Sequence, residues 1–226
     1  MGISIAIDGP AGAGKSTLSK KLAQKLGFIY VDTGALYRSV GLKLLRNNND
    51  CSDENSVAEI LKSTKIDIKY ENDVQVVLLD GENVNGLIRT PEASMMASKC
   101  SALPCVRAFL LDMQRELSEK YSVVMDGRDI GTVVLPNADV KIFLTASPNE
   151  RAKRRFKELV ENGNTDVTFE DVLKDIEKRD YNDSHRAIAP LKPSETSVLV
   201  DTTELSKEQS LELLENTVKN ALKGGK

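Results

Sequence analysis

The chain has 226 residues, with 31 Lys and Arg against 34 Asp and Glu, a formal charge of −3 and 40% hydrophobic residues. That is enough apolar material for one packed domain with insertions, which excludes disorder as the main state. An acidic balance also excludes the uniform basic field of a protein that lives on nucleic acid.

Three cysteines without a CxxC pair and a single histidine, His185, cannot supply the four spaced ligands of a structural zinc site. The thiols read as reduced, which points to the cytoplasm. No apolar run reaches the roughly 18 residues of a membrane span, so neither a membrane nor a nucleic-acid partner is expected.

In chain order, the β-branched run Ile3 to Ile7 stops at Asp8-Gly9-Pro10, and Leu18, Leu22, Ala23 and Leu26 then recur at helical spacing. A strand over Phe28 to Val31 ends at Asp32-Thr33-Gly34 and leads into a helix through Leu36, Val40 and Leu44. This βαβα alternation predicts a parallel sheet flanked by helices. Around 60 to 90 the pattern changes: Ile66 to Tyr70 and Val74 to Leu78 are separated by only a short turn, which favours antiparallel pairing in a small β-rich insertion. Pro91 and Pro104 each suit a first helical position. Core strands resume at Ser122 to Met125 and Val140 to Leu144, and Ser147 to Glu150 reads as a capping box opening a basic helix. A helix from about Thr168, a strand over Ser197 to Val200, a helix capped by Ser206 to Gln209 and a frayed tail at Lys223 to Lys226 complete the chain.

Gly9-Pro10-Ala11-Gly12-Ala13-Gly14-Lys15-Ser16 matches G-x-x-x-x-G-K-[ST] and sits where the mechanism needs it, after a strand and opening a helix. Glycines let backbone N–H groups wrap phosphate oxygens, Lys15 reaches the β and γ phosphates, and the Ser16 hydroxyl is placed to ligate Mg²⁺. The motif names nucleotide binding, not a reaction. Neither an NKxD guanine motif nor LSGGQ is present.

Arginines recur at element ends: Arg38 after Asp32-Thr33-Gly34, Arg128 in Asp126-Gly127-Arg128-Asp129, and Arg179 and Arg186 around Asp183. A lone arginine is ordinarily a solvated side chain. Ligands of parallel sheets bind at the carboxyl ends of the strands, so Asp32, Asp126 and Arg128 are expected to converge near the phosphate loop as a second anion site. Arg151, Lys153, Arg154 and Arg155 crowd a helix start, where cations oppose the macrodipole. Either a solvated basic face or a lid over triphosphate accounts for them; the phosphate loop favours the lid. Asp126 is a candidate Mg²⁺ partner through water, or a structural acceptor.

The stretches Ile7 to Thr17, Val31 to Arg38, Met125 to Val134 and Arg179 to Pro190 resemble the bacterial cytidylate (CMP) kinases, nucleoside monophosphate kinases of the P-loop class. The DTGALYR and DGRDIGTVV stretches carry this more specifically than the phosphate loop does. The resemblance implies a single kinase domain with its core at 1–33, 105–147 and 169–226, a CMP-binding part with the insertion at 34–104, and a short helical lid at 148–168. It implies transfer of the γ-phosphate of ATP to CMP or dCMP, with Mg²⁺, by a monomer acting on small-molecule nucleotides.

Carried over, the resemblance gives ATP to residues 9–17, ending at Thr17, and to the lid residues Arg151, Arg154 and Arg155. It gives cytosine to Ser98, Arg107 and Asp129, the ribose to Arg179 and Asp183, and the acceptor phosphate to Arg38, Arg128 and Arg186. Thr33 and Tyr37 complete the CMP site, and Lys15, Arg128 and Arg186 act in catalysis. Cytosine shows an amino donor beside two acceptors, which a carboxylate with Arg and Ser donors matches. A different acceptor, such as UMP or a small hydroxylated acid, and a module that only senses or hydrolyses ATP remain the competing readings.

Overall fold

A computed structural model describes residues 2–72, 74–161, 163–164 and 166–224. Strand β1 (Ser4–Asp8), helix α1 (Lys15–Leu26), β2 (Ile29–Asp32) and α2 (Thr33–Arg46) come first, followed by α3 (Glu54–Lys62). The insertion holds β3 (Ile66–Glu71), β4 (Val74–Leu79) and β5 (Glu82–Asn83). Next come α4 (Pro91–Cys100), α5 (Pro104–Lys120), β6 (Val123–Gly127), a π-helical turn (Ile130–Val134) and β7 (Val140–Thr145). Helices α6 (Pro148–Glu161) and α7 (Phe169–His185), strand β8 (Val198–Asp201) and α8 (Lys207–Gly224) end the chain.

The core sheet runs β2-β6-β1-β7-β8, all parallel, and β3-β4-β5 form a separate antiparallel sheet. Strands buried on both faces need apolar residues at every position, and Ile5, Ala6 and Ile7 are fully buried. Ile5 and Ile7 pack with Leu18 and Leu22 of α1 and Leu214 and Val218 of α8, while Ala6, Val31 and Met125 face the π-helical turn and α5. A third cluster joins Leu36, Val40 and Leu44 of α2 to Val57 and Leu61 of α3, Val77 and Leu79 of β4 and Cys100 of α4. The two outer strands of the core sheet differ. β2 is flanked by the insertion, whereas on β8 Val198 and Leu199 are exposed.

Several expectations shift. Helix α3 fills a stretch read as having no element, and a π-helical turn at 130–134 follows β6 where no element was expected. Helix α8 continues through Gly224, so the frayed tail does not begin at Lys223; residues 225–226 lie outside the described part, as do Asn162 and Thr165 within the expected lid. At α6 the Ser147 Oγ accepts from the Glu150 N–H at 3.2 Å, whereas Thr168 and Asp171 make the full reciprocal box at α7. All three cysteines are free thiols. No described helix is long and apolar enough to cross a membrane.

Candidate active site

The phosphate loop joins the carboxyl end of β1 to α1. Gly9 has φ +150°, and a Cβ there would lie 1.9 Å from the Leu144 carbonyl oxygen on neighbouring β7, so only glycine fits. Lys15 folds back over its loop, its Nζ donating to the carbonyls of Gly9 and Pro10 at 2.7 and 2.8 Å. Burial, with Arg128 nearby, holds its ammonium well below the ordinary lysine range. Ser16 and Thr17 are exposed at the helix start.

Asp126, at the end of β6, sits behind Ser16. Its Oδ2 accepts from the Ser16 hydroxyl at 3.0 Å and its Oδ1 from the Tyr30 hydroxyl at 2.9 Å. Burial and the charge of Asp32 push this carboxyl upward. Asp8 takes the two backbone N–H groups of Ile130 and Gly131, each at 2.7 Å, and so ties the turn after β6 to the start of the phosphate loop. Burial raises Asp8 to about 6, so it is ionised at neutral pH, as two N–H donors require. Thr33 spends its hydroxyl on the Asp126 carbonyl at 2.8 Å.

Beside this lies an arginine-carboxylate network. Asp129 pairs with Arg107 through Oδ2 and with Arg186 through Oδ1, the latter at 3.2 Å. Arg128 pairs with Asp183 at 2.7 Å. Arg38 holds Asp32 at 3.0 Å while its buried Nε has no partner among the described residues, an unsatisfied donor of the kind an incoming anion would take up. Tyr37 and Arg107 line a cavity of about 240 Å³ together with Leu111 and Gln114, and burial pushes the Tyr37 phenol up to about 12.

The structure thus gathers Arg38, Arg107, Arg128, Asp129, Asp183 and Arg186 into contacts at strand ends. It does not bring Arg179 into that network: Arg179 pairs with Asp175 one turn earlier on α7, at 2.9 Å. Ser98 is half-buried on α4 and its carbonyl accepts from Ser101. The three arginines of α6 differ in kind. Arg151 is 3% exposed and donates to the carbonyls of Ala146 and Ala11, at 2.8 and 3.0 Å, and to both oxygens of Asp180. Arg154 is held by Glu150 and by the Thr202 carbonyl and hydroxyl. Arg155 pairs with exposed Glu158. A helix-start charge cluster gave no means of telling a buried clasp from a mobile charge.

Sequence reading missed Asp8, Tyr30, Gln75 and Asp180. Asp8 had a signal, being a carboxylate at a strand end directly before the glycine loop. The others had none, because their partners are more than 25 residues away.

A phosphate loop after the first strand of a β2-β6-β1-β7-β8 parallel sheet, with arginines gathered at the adjoining strand ends, defines a P-loop nucleotide-binding protein. A solved structure of an uncharacterized protein from Eubacterium ventriosum ATCC 27560 shares the fold, with a TM-score of 0.52 at 13% identity and 99% of both chains covered. The sequence model of the cytidylate kinase family matches residues 5–220. A cytidylate kinase of Caldicellulosiruptor bescii is 54% identical over 222 residues, covering 96% of this chain and 98% of that one. One from Caldanaerobacter subterraneus is 49% identical over 222 residues, covering 98% and 97%. The chain belongs to the cytidylate kinase family and is an ATP-dependent kinase.

Proposed function

We propose that the chain transfers the γ-phosphate of ATP to CMP or dCMP, giving ADP and CDP or dCDP in cytoplasmic pyrimidine nucleotide metabolism, and that it acts as a monomer. The observation that carries this reading is the meeting of Asp129 with Arg107 at the end of β6, although they are 22 residues apart in sequence. A carboxylate acceptor beside guanidinium donors suits the amino group, N3 and O2 of cytosine. Ser98 supplies a further hydroxyl from α4.

The acceptor phosphate falls to Arg38, whose Nε is unspent, with Arg128 and Arg186 beside it. Asp183, with Arg179 one turn away on α7, serves the ribose, and Thr33 and Tyr37 shape the site. Residues 9–17 take the ATP phosphates, with Lys15 opposite the β and γ groups. Lid residues 148–168 close over them, Arg154 and Arg155 facing the nucleotide and Arg151 anchoring the hinge. The parts at 1–33, 105–147 and 169–226 form the core, and 34–104 the CMP-binding part.

A divalent cation fits at Ser16 and Asp126: a hydroxyl and a carboxylate oxygen 3.0 Å apart are hard donors beside the phosphate loop. No group of three or more His, Cys, Asp or Glu among the described residues forms a resident metal cage. That suits Mg²⁺ arriving with ATP and held through one hydroxyl, water and phosphate oxygens. The metal would supply charge neutralisation at the β and γ phosphates. The acceptor is already a phosphate nucleophile, so the chain's own groups position and neutralise, and no side-chain base is required. Initial rates of ADP release with AMP, CMP, dCMP, UMP and GMP test the reading. CMP and dCMP should dominate, and a preference for another acceptor, or ATP turnover indifferent to all five, would overturn it.

A further inference from the structure

The outer edge of β2 is satisfied by side chains of the insertion instead of by another strand. The Tyr70 hydroxyl donates to the Tyr30 carbonyl at 3.2 Å, the Asp32 N–H donates to Gln75 Oε1 at 2.8 Å, and Gln75 Nε2 donates to the Asp32 carbonyl at 3.3 Å. The Gln75 amide therefore stands where the peptide of a neighbouring strand would stand. Tyr70 and Gln75 face each other in the β3-β4 register, so one cross-strand pair makes all three contacts. Gln75 is 8% exposed. Its own carbonyl is held from the far side by Asn85, whose Nδ2 donates at 2.8 Å while its Oδ1 accepts from Val77 N–H at 3.0 Å.

Asp32 is the residue through which this matters. Its carboxylate caps α2 by accepting from the Ala35 N–H at 2.9 Å and holds the Arg38 guanidinium at 3.0 Å. The fit is close, since a Cβ on Gly34 would lie 3.0 Å from an Arg38 nitrogen and 3.1 Å from Asp32 Oδ1. A shift of the Asp32 backbone must therefore move the guanidinium whose buried Nε awaits an acceptor.

We propose that Gln75 is a positioning residue of the acceptor-phosphate site, by which the insertion sets the aim of Arg38 through the Asp32 backbone. This rests on the reading of Arg38 as an acceptor-phosphate ligand. Without the Gln75 amide, Asp32 loses both main-chain partners at a buried edge, and the arm that ends in Arg38 loses its fixed origin. The phosphate loop follows β1, two strands in from β2, so the ATP side should change less than the acceptor side.

The test uses the full chain and steady-state kinetics for both substrates. Gln75→Met, similar in volume but without the amide, is expected to raise the CMP KM about tenfold, the loss that one to two net hydrogen bonds would produce. The ATP KM should stay within about twofold. On an Arg38→Met background, the same change should have no further effect on CMP. Gln75→Glu keeps an acceptor for the Asp32 N–H but sets a carboxylate oxygen against the Asp32 carbonyl, so it should give a rise of the same selective kind, at least as large. It also serves as the reporter if Gln75→Met melts below the assay temperature. A parallel rise in both KM values, an undiminished effect on the Arg38→Met background, or no change for either variant would overturn the proposal. If Arg38→Met alone leaves the CMP KM unchanged, the acceptor-site reading falls, and the role of Gln75 with it.

Discussion

Arg151 and Arg155 lie four residues apart on α6 with opposite surroundings, which makes Arg151→Met an informative perturbation. Arg151 is 3% exposed and bonded to two carbonyls and both oxygens of Asp180, whose side chain is 26% exposed. Removing one partner of a buried ion pair costs about 3–5 kcal/mol, and the partial exposure of Asp180 favours the lower end, near 3 kcal/mol. For a chain of this size each kcal/mol lowers the melting temperature by about 2–4 °C, so Arg151→Met should melt roughly 6–12 °C below the parent. The ATP KM should rise as well, since the Ala11 carbonyl of the phosphate loop loses its anchor. Arg155→Ala removes an exposed pair worth at most about 0.5 kcal/mol, so its melting point should stay within about 2 °C while turnover falls. Thermal scanning and ATP-dependent kinetics on the two variants decide the matter. An Arg151→Met protein with parental melting and ATP KM but collapsed turnover would refute the clasp and make Arg151 a lid residue.

Asp129→Asn exchanges an acceptor-only carboxylate for an amide, so the CMP specificity constant should fall about ten- to a hundredfold, corresponding to about 1–3 kcal/mol, while UMP loses less. Equal losses for both nucleotides would mean that Asp129 only holds Arg107 and Arg186 together. Asp8, at about 6, and Asp126, raised by the same burial, take up protons as the pH falls below 7, and activity should fall with them. Because their folded-state values lie above the ordinary carboxyl value, the stability they contribute is full at low pH and lost as the pH rises through about 6. Melting temperature should therefore hold or rise from pH 7 to pH 5 while activity drops, and a flat activity profile over that window would count against both roles. Gly9→Ala should abolish transfer, because the new methyl meets the β7 backbone; parental rates would show that the loop is free to move away.

The β1-loop-α1 unit was legible because each of its signals is local: a β-branched run, glycines at fixed offsets, and helical spacing from Lys15. The insertion strands were legible for the same reason, since Ile66–Glu71 and Val74–Leu79 are joined by so short a turn. Helix α3 was overlooked although Val57, Ile60 and Leu61 mark an apolar face, because that face spans under two turns of a nine-residue helix in a polar stretch that Asp53 caps. The π-helical turn at 130–134 was not legible, since its shape answers to the Asp8 carboxylate on another strand. In the site, arginine identity was readable but arginine partnership was not. Arg179 and Arg186 look alike in sequence, yet one ends on an i−4 aspartate at the surface and the other on buried Asp129.

The side-chain cover on β2 has a consequence for the integrity of the sheet itself. An uncovered outer strand is a template for a second chain, and here Tyr70 and Gln75 occupy the positions that such a chain would take. Excising the 60–90 segment to obtain a smaller enzyme would thus open a row of unpaired peptide groups beside Tyr30 and Asp32. The expected outcome is a protein that self-associates through β2, and not merely one that binds its acceptor poorly. At the opposite margin Val198 and Leu199 of β8 are exposed. Charged substitutions for solubility belong on that side, where they touch none of the groups that hold Arg38.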